Sequence, residues 1–268
     1  MDEIVPIFII GAPRSGTTLI GNYIGSSSNV CDLGEYFGFA FTLNKLETLF
    51  KKVPSNFKTD YIKSLQEHAV DFTRKVSIEN DCKFFCDSTP WNSLVLDQIQ
   101  HFFPNALFVL MIRHYSGLIQ SLERSFNDGY AWAGENLVKR AVLYSDIYSN
   151  VLNLPRNNTF PLSYDMLCYD PLNTISELNN WLLQKGIDIE SIDETCFSNS
   201  YASNPHHKRK SLASLVNSEL VFRQIPSFES ENWSVEIEQR VYSIVGDVVS
   251  KLSHSYPDVL IKPNGFYY

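Results

Sequence analysis

Apolar and polar positions along the chain fall into two alternating textures. Short, nearly unbroken apolar runs recur at residues 4–10 (IVPIFII), 83–88 (KFFCDS), 106–113 (ALFVLMIR) and 160–167 (FPLSYDML). Between them lie longer segments whose apolar residues repeat every three or four positions. These are about 17–25, 92–103, 116–126, 135–153 and 173–186, with a polar stretch at 44–75 that also reads as helical. Continuous apolar strands alternating with helices predict a parallel sheet covered on both faces. The expected class is therefore α/β, a three-layer α/β/α arrangement around a central parallel sheet. Any ligand should sit outside the carboxyl ends of the strands. The last third reads as helical and loopy, with 234–252 its clearest amphipathic helix. No repeat, low-complexity tract or long linker interrupts the 268 residues, so one domain over 1–268 is expected.

At 44% apolar content the chain can fill a core, yet no run is long enough to span a membrane. The acidic Met1-Asp2-Glu3 start is unlike an export signal. Five cysteines without paired or metal-ligand spacing suit a reducing, cytoplasmic setting. A net charge of −8 argues against broad binding to nucleic acid. One local exception is HHKRK at 206–210, either a solvated surface loop or a site for one phosphate.

The candidate chemistry begins where the first strand ends. Gly11 to Thr18 reads GAPRSGTT, the glycine frame of a phosphate-binding loop, but Thr17 stands where a nucleoside triphosphate enzyme has lysine. Main-chain N–H groups of Ser15, Gly16, Thr17 and Thr18 at a helix start attract an anion whatever the side chains are. Thr17 and Thr18 add hydroxyl donors, and Arg14 adds a permanently charged fork. The nearest acid on a following strand is Asp87, an unconvincing metal ligand. The loop reads as one that holds an anion without a metal.

PRSGTT resembles the 5′-phosphosulfate loop of the sulfotransferases that use 3′-phosphoadenosine 5′-phosphosulfate (PAPS), which share a P-loop NTPase-like fold. The segment FVLMIRHYSGLIQSLERSF is similar to that family's 3′-phosphate segment, a strand ending in Arg113 with Ser121 eight residues on. A strand-end guanidinium and a hydroxyl two helical turns later can grip one phosphate; the plainer alternative is a sheet-capping arginine and an ordinary helix serine. PLSYDMLCYDPLNTISELNNWL resembles the family's tyrosine-acid…Asp-Pro segment, which makes Tyr164 an adenine contact or, alternatively, a core-edge tyrosine. Glu35 stands twenty-one residues after Arg14, where the protein-tyrosine sulfotransferases carry a catalytic glutamate. Without the resemblance it would be a solvated loop acid.

The resemblance, over about residues 4–186, implies transfer of a sulfuryl group from PAPS to a hydroxyl of a small molecule or peptide, releasing PAP (adenosine 3′,5′-bisphosphate). It implies Arg14 as the charge stabiliser, Glu35 as general base and a basic segment, Lys208, Arg209 or Lys210, over the 3′-phosphate. It also exposes a departure. CDSTPWN places Ser88 where relatives have lysine, which leaves Ser88 as a hydrogen-bond donor to the transferring group. Two other readings share this fold: a small-molecule P-loop kinase, disfavoured by Thr17, and a nucleotide-binding protein with impaired chemistry, favoured by Ser88.

Overall fold

A computed structural model describes residues 4–40, 55–192, 233–257 and 259. Five strands form one parallel sheet: β1 (Val5–Gly11), β2 (Val30–Asp32), β3 (Phe84–Asp87), β4 (Leu107–Ile112) and β5 (Thr159–Ser163), in the order β2-β3-β1-β4-β5. In chain order the helices are α1 (Thr17–Gly25), α2 (Ser55–Glu79), α3 (Leu96–Phe102), α4 (Tyr115–Asn127), α5 (Leu137–Val151), α6 (Tyr164–Tyr169), α7 (Pro171–Gln184) and α8 (Val235–Ser255).

The central strands are buried on both faces, which explains why they read as unbroken apolar runs. Side chains alternate between two cores. Phe8, Ile10, Phe85, Phe108, Leu110 and Ile112 meet α2, α3, α4, α5 and α8 on one side. Ile7, Ile9, Phe84, Val109, Met111 and Leu162 meet α1, α6 and α7 on the other. The result is the three-layer α/β/α arrangement that the periodicity predicts. Register places Phe8 opposite Asp87 on β3 and Gly11 opposite Met111 on β4, so the ends of β1, β3 and β4 open onto one edge.

Three elements differ from the sequence reading. β2, only three residues long, carries too short an apolar pattern to be seen. The expected strand at 160–167 stops at Ser163, because the Ser163 hydroxyl accepts the Met166 N–H at 3.2 Å and caps α6. The expected helix at 92–103 splits into a 3₁₀ turn, Pro90–Leu94, and α3, since Thr89-Pro90 starts the turn earlier. The 44–75 stretch is helical from Ser55 and runs on to Glu79; its residues 44–54 lie outside the described ones. No described helix is long and apolar enough to cross a membrane.

Candidate active site

The loop from Gly11 to Thr18 is built by close approach. A Cβ on Gly11 (φ 141°) would strike the Met111 carbonyl of β4 and lie 2.9 Å from Ser15 Oγ. Ser93 anchors the loop's entry, accepting the Gly11 N–H at 2.8 Å and donating to the Gly11 carbonyl at 3.2 Å. Gly16 (φ 101°) occupies the N-cap of α1 and offers no side-chain acceptor to the helix start. The first-turn N–H groups of α1 therefore point out of the sheet's carboxyl edge with no cap, the arrangement that suits an anion. Arg14 itself is held at φ 76°, a strained conformation of the kind found at functional sites.

Around this loop the structure assembles cations from separate elements. Arg14 Nε donates to Ser121 Oγ of α4 at 3.2 Å. Arg113, immediately after β4, donates from Nη1 to the Arg14 carbonyl at 2.7 Å, and its guanidinium lies 4.3 Å above the Tyr164 ring. Arg113 is only 8% exposed. Its main chain is also fixed: its N–H donates to Tyr148 Oη at 3.3 Å, and the Tyr144 hydroxyl donates to its carbonyl at 3.4 Å. Burial lowers the Arg14 pKa, and Arg113 and Arg124 lower it further, against raising contributions from Tyr164 and Glu35. Positive charges crowded this way are what a bound polyanion would relieve. Arg124, one helical turn after Ser121, escaped the sequence reading; its i+3 spacing from Ser121 was the signal available.

Glu35 approaches from the opposite flank. Thr18 Oγ1 donates to Glu35 Oε1 at 3.2 Å, bringing the acid onto the first turn of α1. The residue stands at the open edge, yet partial burial of its carboxyl raises the pKa. The Thr18 hydrogen bond opposes that rise, Asp87 reinforces it and Arg14 opposes it. A carboxyl whose pKa is raised in this way, beside an anion cradle, can take a proton.

The remaining predicted residues occupy quieter places. Ser15 is fully buried; its N–H is spent on the Ala12 carbonyl at 3.0 Å and its hydroxyl lies inward, beside Tyr148. Thr17 is also buried. Ser88 is 1% exposed and packed against Gly21 of α1; its N–H and hydroxyl both donate to the Gly34 carbonyl, at 2.8 and 3.2 Å. Its hydroxyl thus holds the Glu35 loop. Tyr164 is 7% exposed, with Arg113 over one face and Gly16 close by, where a Cβ would fall 2.9 Å from Tyr164 Cδ2. Lys208, Arg209 and Lys210 lie outside the described residues.

Asp87 occupies the strand end where a metal-binding acid would stand in a nucleoside triphosphate enzyme. It is fully buried and engaged: Oδ1 accepts the Thr89 N–H at 2.9 Å and Oδ2 accepts Asn92 Nδ2 at 2.9 Å. Among the described residues no group of three or more His, Cys, Asp or Glu is arranged to hold a metal ion.

Comparison with known proteins agrees with this geometry. The family model described as "Sulfotransferase family" matches residues 6–185, a span that runs from β1 through α7 and takes in every described residue of the site. The sulfotransferase domain from the curacin biosynthetic pathway superposes with a TM-score of 0.54 at 16% identity, covering 91% of this chain and 98% of that one. The sulfotransferase domain of the Synechococcus PCC 7002 olefin synthase gives 0.50 at 17% identity, covering 91% and 95%. At these identities the two structures speak for the fold alone. A search of the curated proteins finds no match. With the matched span covering more than half of the chain and the sheet order carrying the loop to the right edge, the chain belongs to the sulfotransferase family.

Proposed function

We propose that this enzyme transfers a sulfuryl group from PAPS to the hydroxyl of a small-molecule or peptide acceptor, without a metal. The observation that carries the reading is the convergence of Arg14, Arg113 and Ser121 beside an uncapped helix start, with Glu35 hydrogen-bonded to Thr18 across it. Two anion positions follow. One lies at the N–H groups of Gly16, Thr17 and Thr18 and suits a 5′-phosphosulfate. The other lies at Arg113, Ser121 and Arg124 and suits a 3′-phosphate, with Arg14 spanning both.

PAPS supplies an activated sulfuryl group on a good leaving phosphate. The chain's own part is positioning and electrostatics, as in phosphoryl transfer. Arg14 and the main-chain donors hold negative charge on the leaving side. Glu35 takes the proton from the acceptor hydroxyl, a contribution of about 10²–10⁴ in rate. Ser88 serves by holding the loop that presents Glu35, and Tyr164 by supporting Arg113 and Gly16. Asp87 has its acceptors committed to the protein, which disfavours the magnesium-dependent kinase reading.

Two measurements test this. Calorimetric titration with PAP in the presence of EDTA should give binding that ATP with Mg²⁺ does not match. A screen of hydroxyl acceptors with sulfur-labelled PAPS should find turnover that Glu35→Ala removes while PAP affinity stays within about threefold. Full activity in Glu35→Ala, or PAP uptake only with magnesium, overturns the proposal.

A further inference from the structure

The end of β3 is tied to the loop carrying Glu35 at an unusual number of points. The Leu33 N–H donates to the Cys86 carbonyl at 2.9 Å, and the Ser88 N–H to the Gly34 carbonyl at 2.8 Å. Beyond Glu35, the Phe37 N–H donates to Thr89 Oγ1 at 3.1 Å. Asp87 accepts the Thr89 N–H and the Asn92 amide, each at 2.9 Å, while the Thr89 hydroxyl and the Tyr36 main chain stand near enough to favour its charged form against the burial that raises its pKa. Gly34 and Phe37 are thus fastened on either side of Glu35 to two successive residues, Ser88 and Thr89. Phe37 is held at φ 60° within this arrangement, a conformation a phenylalanine adopts only when its surroundings impose it.

A fully buried carboxylate is costly unless donors converge on it. Asp87 meets the Thr89 N–H and the Asn92 amide. A loop that needed only to be covered would be served by apolar packing. Here one of the donors is Thr89, the residue that holds the Phe37 main chain. We propose that Asp87, acting through Thr89, is a positioning residue for Glu35: it fixes Thr89, which clamps the Phe37 main chain and so holds the carboxyl over the first turn of α1. This rests on Glu35 being the base. The clamp also sets the base's electrostatic surroundings, with Asp87 on the β3 side opposing Arg14 on the loop side.

The test uses the full chain with glutamate labelled at the side-chain carboxyl carbon, the Glu35 signal being the one lost in Glu35→Gln. Wild type, Asp87→Asn, Thr89→Val and Thr89→Ser are titrated by NMR, exchange of the Tyr36 and Phe37 amides is followed, and PAP affinity is measured by calorimetry. In Asp87→Asn the Glu35 midpoint should fall to lower pH. In Thr89→Val the Phe37 amide should exchange about tenfold faster, with the wild-type rate restored in Thr89→Ser, and PAP affinity should stay within about threefold. An unchanged Glu35 midpoint in Asp87→Asn, or a Phe37 amide equally protected in Thr89→Val, overturns the clamp. Should Asp87→Asn not fold, the Thr89→Val and Thr89→Ser pair decides alone. These readouts need no acceptor, so they fail independently of the base assignment. Undiminished PAPS turnover in Glu35→Ala removes that assignment and the positioning role with it.

Discussion

Arg113 offers the sharpest test of the anion site, because its guanidinium sits at the balance of opposing terms. Arg113→Met keeps an unbranched apolar chain over the Tyr164 ring and removes the charge. Without ligand, the variant loses one charge-assisted hydrogen bond to the Arg14 carbonyl (2.7 Å), worth about 1.5–3 kcal/mol, and a desolvated cation–π contact (4.3 Å), worth about 2 kcal/mol. It gains relief from repulsion with Arg14, of the order of 1–4 kcal/mol for close pairs. The net change should be about 0–4 kcal/mol, a melting shift of no more than about 10 °C. With PAP the balance reverses. Leaving a buried phosphate oxygen without its cation costs about 2–5 kcal/mol, a dissociation constant about 30- to 4,000-fold higher. Thermal melting reads both at once. PAP at 100 times the wild-type Kd should stabilise wild type by about 2.7 kcal/mol and the variant by about 0.9 kcal/mol or less. PAP affinity within threefold of wild type refutes the reasoning. A ligand-free melting drop beyond about 10 °C also refutes it, because Arg113 would then be a structural cation.

Three further outcomes follow from the same geometry. Gly16→Ala forces alanine to φ 101° and sets its Cβ 2.9 Å from Tyr164 Cδ2, so denaturant titration should show a loss of about 2–3 kcal/mol, with PAP binding abolished. Ser93→Ala strands the buried Gly11 N–H, and chemical denaturation should show a loss of about 1–3 kcal/mol alongside weaker PAP binding. The raised Glu35 pKa moves the acid limb of kcat/KM to higher pH than an unperturbed glutamate would give, activity falling as pH drops through it. Because the folded protein then binds the proton more tightly than the unfolded chain, ionised Glu35 costs stability, so Glu35→Gln should abolish turnover at neutral pH without lowering the melting temperature.

The loop, the alternation of strand and helix, and the spacing of Arg113 and Ser121 were legible because each is a local pattern with a local cause. Gly11 and Gly16 are demanded by close approach to Met111 and Tyr164, and an apolar run such as 106–113 has nowhere to go but a doubly covered sheet. What was not legible depends on contacts between distant residues. Ser88 reads in sequence as a replaced lysine, but its surroundings, Gly21 and the Gly34 carbonyl, exist only once α1 and β3 are packed. Asp87 looks like a deficient metal ligand until its donors arrive from Thr89 and Asn92. Tyr164 read as strand because an apolar run masks the capping hydroxyl of Ser163 one residue earlier.

The sheet order explains how one loop can serve two chemical tasks. β1 lies between β3 and β4, so its terminal loop faces a different neighbour on each side. Toward β4 and β5 stand Arg113, Ser121 and Tyr164, with Arg124 close enough to act on Arg14: cations and a hydroxyl, suited to reading a nucleotide's phosphate. Toward β3 and β2 stand Asp87, Thr89 and Glu35, carboxylates and their fastenings, suited to managing a proton. Contact between the two sets would work against the proposed roles, since a guanidinium against Glu35 would lower the pKa that burial raises. The fold keeps them apart by the width of β1 and α1. Among the described residues, Arg14 reaches from the loop to Ser121 and Thr18 reaches to Glu35. On the proposed reading, a group held on that loop lies between a cation and a carboxylate, the arrangement an in-line transfer uses.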